Sequence, residues 1–412
     1  MTSTILEGSD PSAGAGSGTV RWLLVARGLR DFGDGFVAVL LPVYLIALGF
    51  SAFQVGVIAT AALSGSALLT LGVGLVGARY DHRRLLLAAA NLMVATGVAF
   101  ALVHDYALLL VVAFAGTANP SAGSVSVFVP LEHAVLSREV SDRNRTKLFA
   151  RYSLIGAMAG AFGALAAATP DFLAAIGLGQ LAAIKAMFVL YAALGILGAV
   201  IYARIPPRPR PRNGGQQTAA LGPSRHIVYR LAALFSLDAF AGGFVVQSLL
   251  ALWLFERFEL SLSAASLFFF WSGVLAAFSF PVAAWLSRRI GLVNTMVFTH
   301  IPSSLCLMLA AFAPTLPLAL ALLLARAALS QMDVPTRSSY VMAVVTEAER
   351  PAAASFTSVP RSLAAAASPA LAGALFAASL QAWPLVLCGS LKLVYDVLLL
   401  VQFRHLKPPE ER

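Results

Sequence analysis

Stretches of about twenty apolar residues recur along almost the whole chain, each long enough to cross a hydrocarbon core of roughly 30 Å. In lipid the backbone must satisfy its own hydrogen bonds, so such stretches fold as helices. The runs cover residues 20–48, 53–76, 85–103, 106–129, 148–168, 181–202, 227–255, 264–286, 292–312, 316–340, 353–380 and 385–403. The expected fold class is an all-α polytopic membrane protein with 12 transmembrane helices. Composition agrees: 59% of the 412 residues are hydrophobic and only 12% are charged, too few to cover the core of a soluble chain of this size.

The net charge of +10 raises the question of nucleic acid, but the basic residues sit in short loops between the apolar runs. With both termini placed in the cytoplasm, the inner loops and tail hold 18 Lys and Arg, and the outer loops hold Arg257 alone. That asymmetry is the positive-inside pattern of a cell-membrane (inner-membrane) protein, and no nucleic-acid partner is expected. Membrane lipid is the expected surrounding. Cys306 and Cys388 lie in apolar runs without metal-ligand spacing, so neither a disulfide framework nor a zinc site is expected. Residues 1–19, rich in Gly, Ser and Thr and without an apolar core, read as a disordered cytoplasmic tail rather than a cleaved signal.

Between the sixth and seventh runs stands RIPPRPRPR at 204–212, followed by NGGQQ. Proline denies this stretch a helix and arginine denies it the bilayer. The chain therefore divides into a six-helix bundle at 20–203, a linker at 204–225, a second six-helix bundle at 226–404 and a short tail at 405–412. The linker's arginines are also suited to anionic lipid headgroups.

The two halves resemble each other at a shift of just over 200 residues. LRDFGDGFV at 29–37 aligns without a gap with LDAFAGGFV at 237–245; Pro130 precedes Arg145 as Pro335 precedes Arg350; Lys185 of the sixth run matches Lys392 of the twelfth. Two parallel repeats packed face to face create a cavity near the membrane midplane, opened to one side and then the other by rocking.

The loop GLVGARYDHRR at 74–84 resembles the signature loop of the major facilitator superfamily, G-x-L-A-D-R-x-G-R-R, through Gly74, Arg79 and Arg83. Ala78 replaces the usual aspartate, and the equivalent loop of the second half, LSRRIG at 286–291, keeps Arg289 with Arg288 at the acidic position. GAMAGAFG at 156–163 is similar to the family's antiporter motif, with Ala161 in place of its proline; a small-xxx-small face also simply permits close helix packing. The resemblance implies a secondary transporter built from two pseudo-symmetric bundles, acting as a monomer by alternating access. The first, fourth, seventh and tenth helices would line the cavity, and Arg79, Arg83 and Arg289 would serve the gate.

Ionisable residues inside a span each cost at least about 2.5–3.5 kcal/mol to insert, so each needs a partner or a function. The first span carries Arg27, Arg30, Asp31 and Asp34, which the i,i+4 rule pairs as Arg27–Asp31 and Arg30–Asp34. Asp34 lies near mid-span between Gly33 and Gly35. Removal from water favours the neutral form of a carboxylate, the property a proton-coupling group requires. Asp34 is the first candidate for coupling and Asp238 the second. Arg30, Asp31, Asn119, Arg326 and Arg361 are candidates for the substrate cavity, and Glu132, Asp333 and Arg337 for a cytoplasmic gate network. Lys392 and Asp396, one turn apart in a peripheral helix, read as a self-neutralising pair.

No P-loop, HExxH or nucleophile elbow is present, so neither ATP hydrolysis nor enzymatic chemistry is expected, and no cofactor is called for. The expected function is proton-coupled efflux of a small organic or drug-like compound. Two alternatives stay open: uptake or facilitated passage of an anionic metabolite held by Arg326 and Arg361, and a non-transporting sensor or scaffold on the same fold.

Overall fold

The computed structural model describes residues 11–76, 80–121, 126–139, 142–206, 222–346 and 349–406. Among the described residues all regular structure is helical. The first three spans are the single helices α1 (Pro11–Ala47), α2 (Ala52–Val76) and α3 (His82–Leu102). α1 starts inside the segment assigned to a tail; a proline at a first helical position forfeits no hydrogen bond and presets φ, so the helix extends beyond the apolar run. The fourth span is split into α4 (Tyr106–Ala115) and α5 (Phe128–Glu139). The fifth is α6 (Asp142–Ala166), extended by the short α7 (Thr169–Ala175), and the sixth is α8 (Gln180–Ala203). The linker that the sequence places at 204–225 falls largely outside the described residues.

The second half repeats this plan. α9 (Arg225–Gly243) and α10 (Gln247–Phe258) make the seventh span, α11 (Leu262–Ile290) the eighth and α12 (Leu292–Ala311) the ninth. α13 (Leu316–Ser330) and α14 (Asp333–Ala343) make the tenth, α15 (Arg350–Ala377) the eleventh and α16 (Trp383–Phe403) the twelfth. Among the described residues nine helices or helix pairs are long and apolar enough to cross a membrane on hydropathy alone. The charges of α1, the prolines of α15 and the brevity of α4 keep those three spans below that measure. An even number of spans puts both ends of the described chain on one face, called here the terminal face.

The fourth, seventh and tenth spans are each interrupted near their middle. Non-helical backbone at membrane depth persists only where it is buried in protein or lines a cavity. In the fourth span the break contains Pro120, and Asn119 Oδ1 accepts from the Ser121 N–H at 2.8 Å, replacing a lost helical bond. In the tenth, Pro335 in the first turn of α14 has no N–H to give Gln331, and the chain turns there. The break at 244–246 in the seventh span follows Gly242 and Gly243, which the sequence reading passed over as part of one run.

The halves meet through α2 against α15, α6 against α11, and α1 against α10. The close contacts between them lie from mid-membrane to the face opposite the termini. The Ala370 N–H donates to Thr60 Oγ1 at 3.0 Å. The Ser248 N–H, in the first turn of α10, donates to the Pro120 carbonyl at 3.0 Å, so two of the span breaks touch across the interface. At the far face Asp171 accepts from the Ser263 N–H at 3.0 Å and from its hydroxyl at 2.6 Å. Gly56 is obligatory at the α2–α15 crossing, since a Cβ there would stand 2.9 Å from Gly373 Cα.

At the terminal face Glu349, which precedes α15, ties the start of α9 to this helix. It accepts from the Thr346 hydroxyl at 2.6 Å, the Ser224 hydroxyl at 2.8 Å and the Gly222 N–H at 2.6 Å. Those bonds, the two hydroxyls first, hold its carboxyl below the ordinary 4.5, at about 2. A depressed folded-state value means stability that is fully present above pH 4.5 and lost as pH falls towards 2. The thermal-stability advantage of the wild type over Glu349→Gln is expected to shrink across that window, as differential scanning fluorimetry against pH would measure.

Candidate functional site

Each half encloses one cluster of ionisable side chains, and together the two clusters gather most of the residues singled out from the sequence. In the first half Arg27 pairs with Asp31 at 2.7 Å, as its i,i+4 spacing predicts. The expected Arg30–Asp34 pair does not form. Arg30 turns instead to Asp31 at 3.2 Å and across to Glu132 of α5 at 3.4 Å. Glu132, with no exposed surface, also accepts from the Tyr202 hydroxyl at 2.5 Å and from Tyr152. Arg30 further lies over the Phe128 ring at 4.8 Å. A long guanidinium reaches a neighbouring helix as easily as its own next turn, and Glu132 offers a site already furnished with donors.

Asp34 is thereby left without a bonded cation. Its hydrogen-bond donor is the neutral Tyr191 hydroxyl of α8 at 3.2 Å, and that hydroxyl also contacts Thr117 Oγ1 at 3.0 Å and the Thr117 carbonyl at 3.2 Å. Asp34 is 2% exposed and sits beside the break of the fourth span. Asn119, expected in the cavity, is buried and spends its side-chain oxygen on the break itself.

The second half centres on Asp238 of α9. One of its oxygens accepts from Arg337 Nη1 at 3.2 Å, and the other from Lys392 Nζ at 2.6 Å. Arg337 bridges on to Asp333 at 2.9 Å. Lys392 and Asp396 do not neutralise each other as their spacing suggested: Lys392 reaches Asp238, and Asp396 takes His300 Nδ1 at 3.0 Å. On one helix face Lys392 has a nearer acceptor in α9 than one turn along its own axis.

The expected gate network is likewise divided. Glu132 belongs to the first cluster, and Asp333 with Arg337 to the second. Arg83 donates to the Ala203 carbonyl at 2.7 Å, within its own half, while Asp81 caps α3 by accepting from the Arg83 N–H at 3.2 Å. Arg289 lies over Trp285 of its own helix at 4.7 Å. Arg79 falls outside the described residues. The small residues of α6 serve packing on α1: a Cβ at Gly156 would collide with the Arg27–Asp31 pair, and one at Gly163 with the Phe32 carbonyl.

Arg326 and Arg361 occupy separate surroundings. Arg361, on α15, lies in the field of Asp238, Asp333 and Arg337, and its Nε is buried without a hydrogen-bond partner. Arg326 lies by the Cys388 thiol of α16. A cavity of about 540 Å³ opens between the halves at the far face, lined by Pro42, Ile46, Asp171, Phe255 and Glu256 among others, away from the mid-span charges.

Sequence reading missed Tyr152, Tyr191, Tyr202 and the part played by His300. The tyrosines carried no signal in an apolar sequence. His300 is the one histidine well inside an apolar run, and its partners lie on other helices.

Two helical bundles with broken spans meeting at mid-membrane, each enclosing buried charges, are the construction of a solute carrier rather than an enzyme. The sequence profile of the Major Facilitator Superfamily matches residues 23–324 and again 231–412. A membrane protein of Saccharomyces cerevisiae, YJR124C, is 22% identical over 411 residues, spanning 91% of this chain and 92% of its own. Among solved structures, the nucleoside transporter NupG aligns with a TM-score of 0.73 at 13% identity, over 94% of this chain and 99% of that one. A bacterial homologue of the human lysosomal transporter Spinster gives 0.70 at 18%, over 96% of both chains. The human organic anion transporter MFSD10 gives 0.64 at 18%, over 95% of this chain and 100% of its own. The chain belongs to the Major Facilitator Superfamily, a family of secondary transporters and not of enzymes.

Proposed function

We propose that this protein exports a small organic compound from the cytoplasm in exchange for protons, with Asp34 as the coupling group. The observation that carries this reading is the setting of Asp34. It is a mid-span carboxylate shielded from water whose bonded donor is a neutral phenol, while every arginine near it is engaged elsewhere. A paired carboxylate holds its charge; one without a bonded cation is free to exchange a proton. Protonation from outside would release substrate, and loss of the proton to the cytoplasm would restore the loading state. The basic loops support a cytoplasmic terminal face, and in this reading the protein acts as a monomer in the cell membrane. The test is proton flux in inside-out vesicles, scanned across a compound panel. A compound-triggered proton leak supports exchange; its absence with correctly inserted protein removes the reading.

A second reading, passage of an anionic metabolite, is favoured by Arg361, a span arginine whose Nε lacks a partner, and MFSD10 bears the name of an organic anion transporter. Because Arg326 stands apart, Arg361 alone would meet the anion. Uptake of labelled carboxylates that Arg361→Gln abolishes would establish this reading in place of the first. If neither protons nor label move, a non-transporting role remains.

A further inference from the structure

His300 is held at both ring nitrogens. Nδ1 lies 3.0 Å from Asp396 Oδ1, and Nε2 lies 3.2 Å from Lys392 Nζ and 3.8 Å from Asp238 Oδ1. An ammonium only donates, so Nε2 is the acceptor in this contact, and the ring's single proton sits on Nδ1, donated to Asp396. The neutral ring fits the charges around it. Arg337 from α14, Lys392 from α16 and Arg361 from α15 stand against Asp238 from α9, Asp333 from α14 and Asp396 from α16. α13 contributes Arg326, whose carbonyl accepts from Ser303 at 3.4 Å. α16 also presents Cys388 and the edge of Tyr395, whose ring is 5.9 Å away. The charged residues of α11 are Arg288 and Arg289 in its last turn.

A second proton on this ring would put an Nε2–H against an ammonium, two donors with no acceptor between them. The nearest acceptor is the same Asp238 oxygen that Lys392 now holds at 2.6 Å. His300 and Lys392 therefore compete for one carboxylate oxygen. We propose that His300 is a second proton-accepting position, whose protonation transfers Asp238 from Lys392 to His300. The cross-link between the seventh and twelfth spans becomes one between the seventh and ninth. His300 is a positioning residue in this scheme, acting through Asp238. Its place in transport rests on the proton-coupled reading above; the exchange of partners does not.

The test uses the full-length protein, labelled with ¹⁵N-histidine, in lipid nanodiscs, with the His300 signal assigned by its loss in His300→Gln. The expected result is an Nδ1–H tautomer at the alkaline end of a pH series that becomes doubly protonated as the pH is lowered. In Lys392→Met, which removes the facing ammonium, the same conversion is expected at an about tenfold lower proton concentration. In Asp396→Asn, which weakens the acceptor of Nδ1–H, a higher concentration is expected. An Nε2–H tautomer, a ring neutral throughout, or variant curves that superimpose on the wild type would overturn the proposal. Failure of the vesicle assay leaves this titration unaffected, so the two readings fail separately.

Discussion

Asp34→Asn is expected to reduce compound-triggered proton movement in inside-out vesicles by at least about tenfold, the effect of removing the proposed coupling group from the transport step. The amide keeps the shape of the side chain and an oxygen for the Tyr191 hydroxyl, now 3.2 Å from Asp34 Oδ1, so the first bundle should assemble as before. What it cannot do is alternate between charged and neutral. Substrate binding, read by equilibrium dialysis on the same preparation, should persist, and counterflow of labelled substrate should continue without a proton gradient. Tyr191→Phe separates position from chemistry: it deletes the donor to Asp34 together with the contacts to Thr117, at about 1 kcal/mol per hydrogen bond, and should alter the pH profile of transport more than its maximum. Full proton flux in Asp34→Asn would remove Asp34 from the mechanism, and Asp238 with His300 would become the coupling centre to test next.

The fold was legible because a bilayer imposes length and apolarity on every span, and the twelve runs show both. The breaks were legible only in part. Pro120 announces itself, whereas the interruption of the seventh span follows Gly242 and Gly243, and glycine is frequent in membrane helices generally. The charged clusters were legible as residues and misread as pairs. Spacing within one helix is all a sequence displays directly, so Arg30 was matched to Asp34 and Lys392 to Asp396. In the structure both cations cross to other helices, Arg30 to Glu132 and Lys392 to Asp238. Cross-helix partners depend on which helices are neighbours, information that no i,i+4 rule contains. Among the described residues, Arg27–Asp31 and Asp333–Arg337 follow the local rule.

The internal repeat held a cross-helix answer that local spacing lacked. Its alignment sets Arg30 against Asp238, and the Pro130–Pro335 register sets Glu132 against Arg337. The structure makes both pairs, Arg30–Glu132 at 3.4 Å and Asp238–Arg337 at 3.2 Å. One interhelical link, from the first to the fourth helix of each half, thus occurs with opposite signs in the two bundles. Glu132→Ala should then destabilise the protein by about 3–5 kcal/mol, since it leaves Arg27 and Arg30 to share Asp31 in a buried site and takes the acceptor from the Tyr152 and Tyr202 hydroxyls. Glu132→Arg, setting two cations together, should cost at least as much. If the link matters as a link and not for its polarity, Arg30→Asp combined with Glu132→Arg should recover part of the loss, a coupling of about 1 kcal/mol or more. Recovery stays incomplete because the new aspartate stands next to Asp31 and the tyrosines then face a cation. Denaturant unfolding of the wild type, Arg30→Asp, Glu132→Arg and the double variant in one detergent measures this, and a double variant no more stable than the worse single would mean that the polarity of the link matters in the first half, not the link alone.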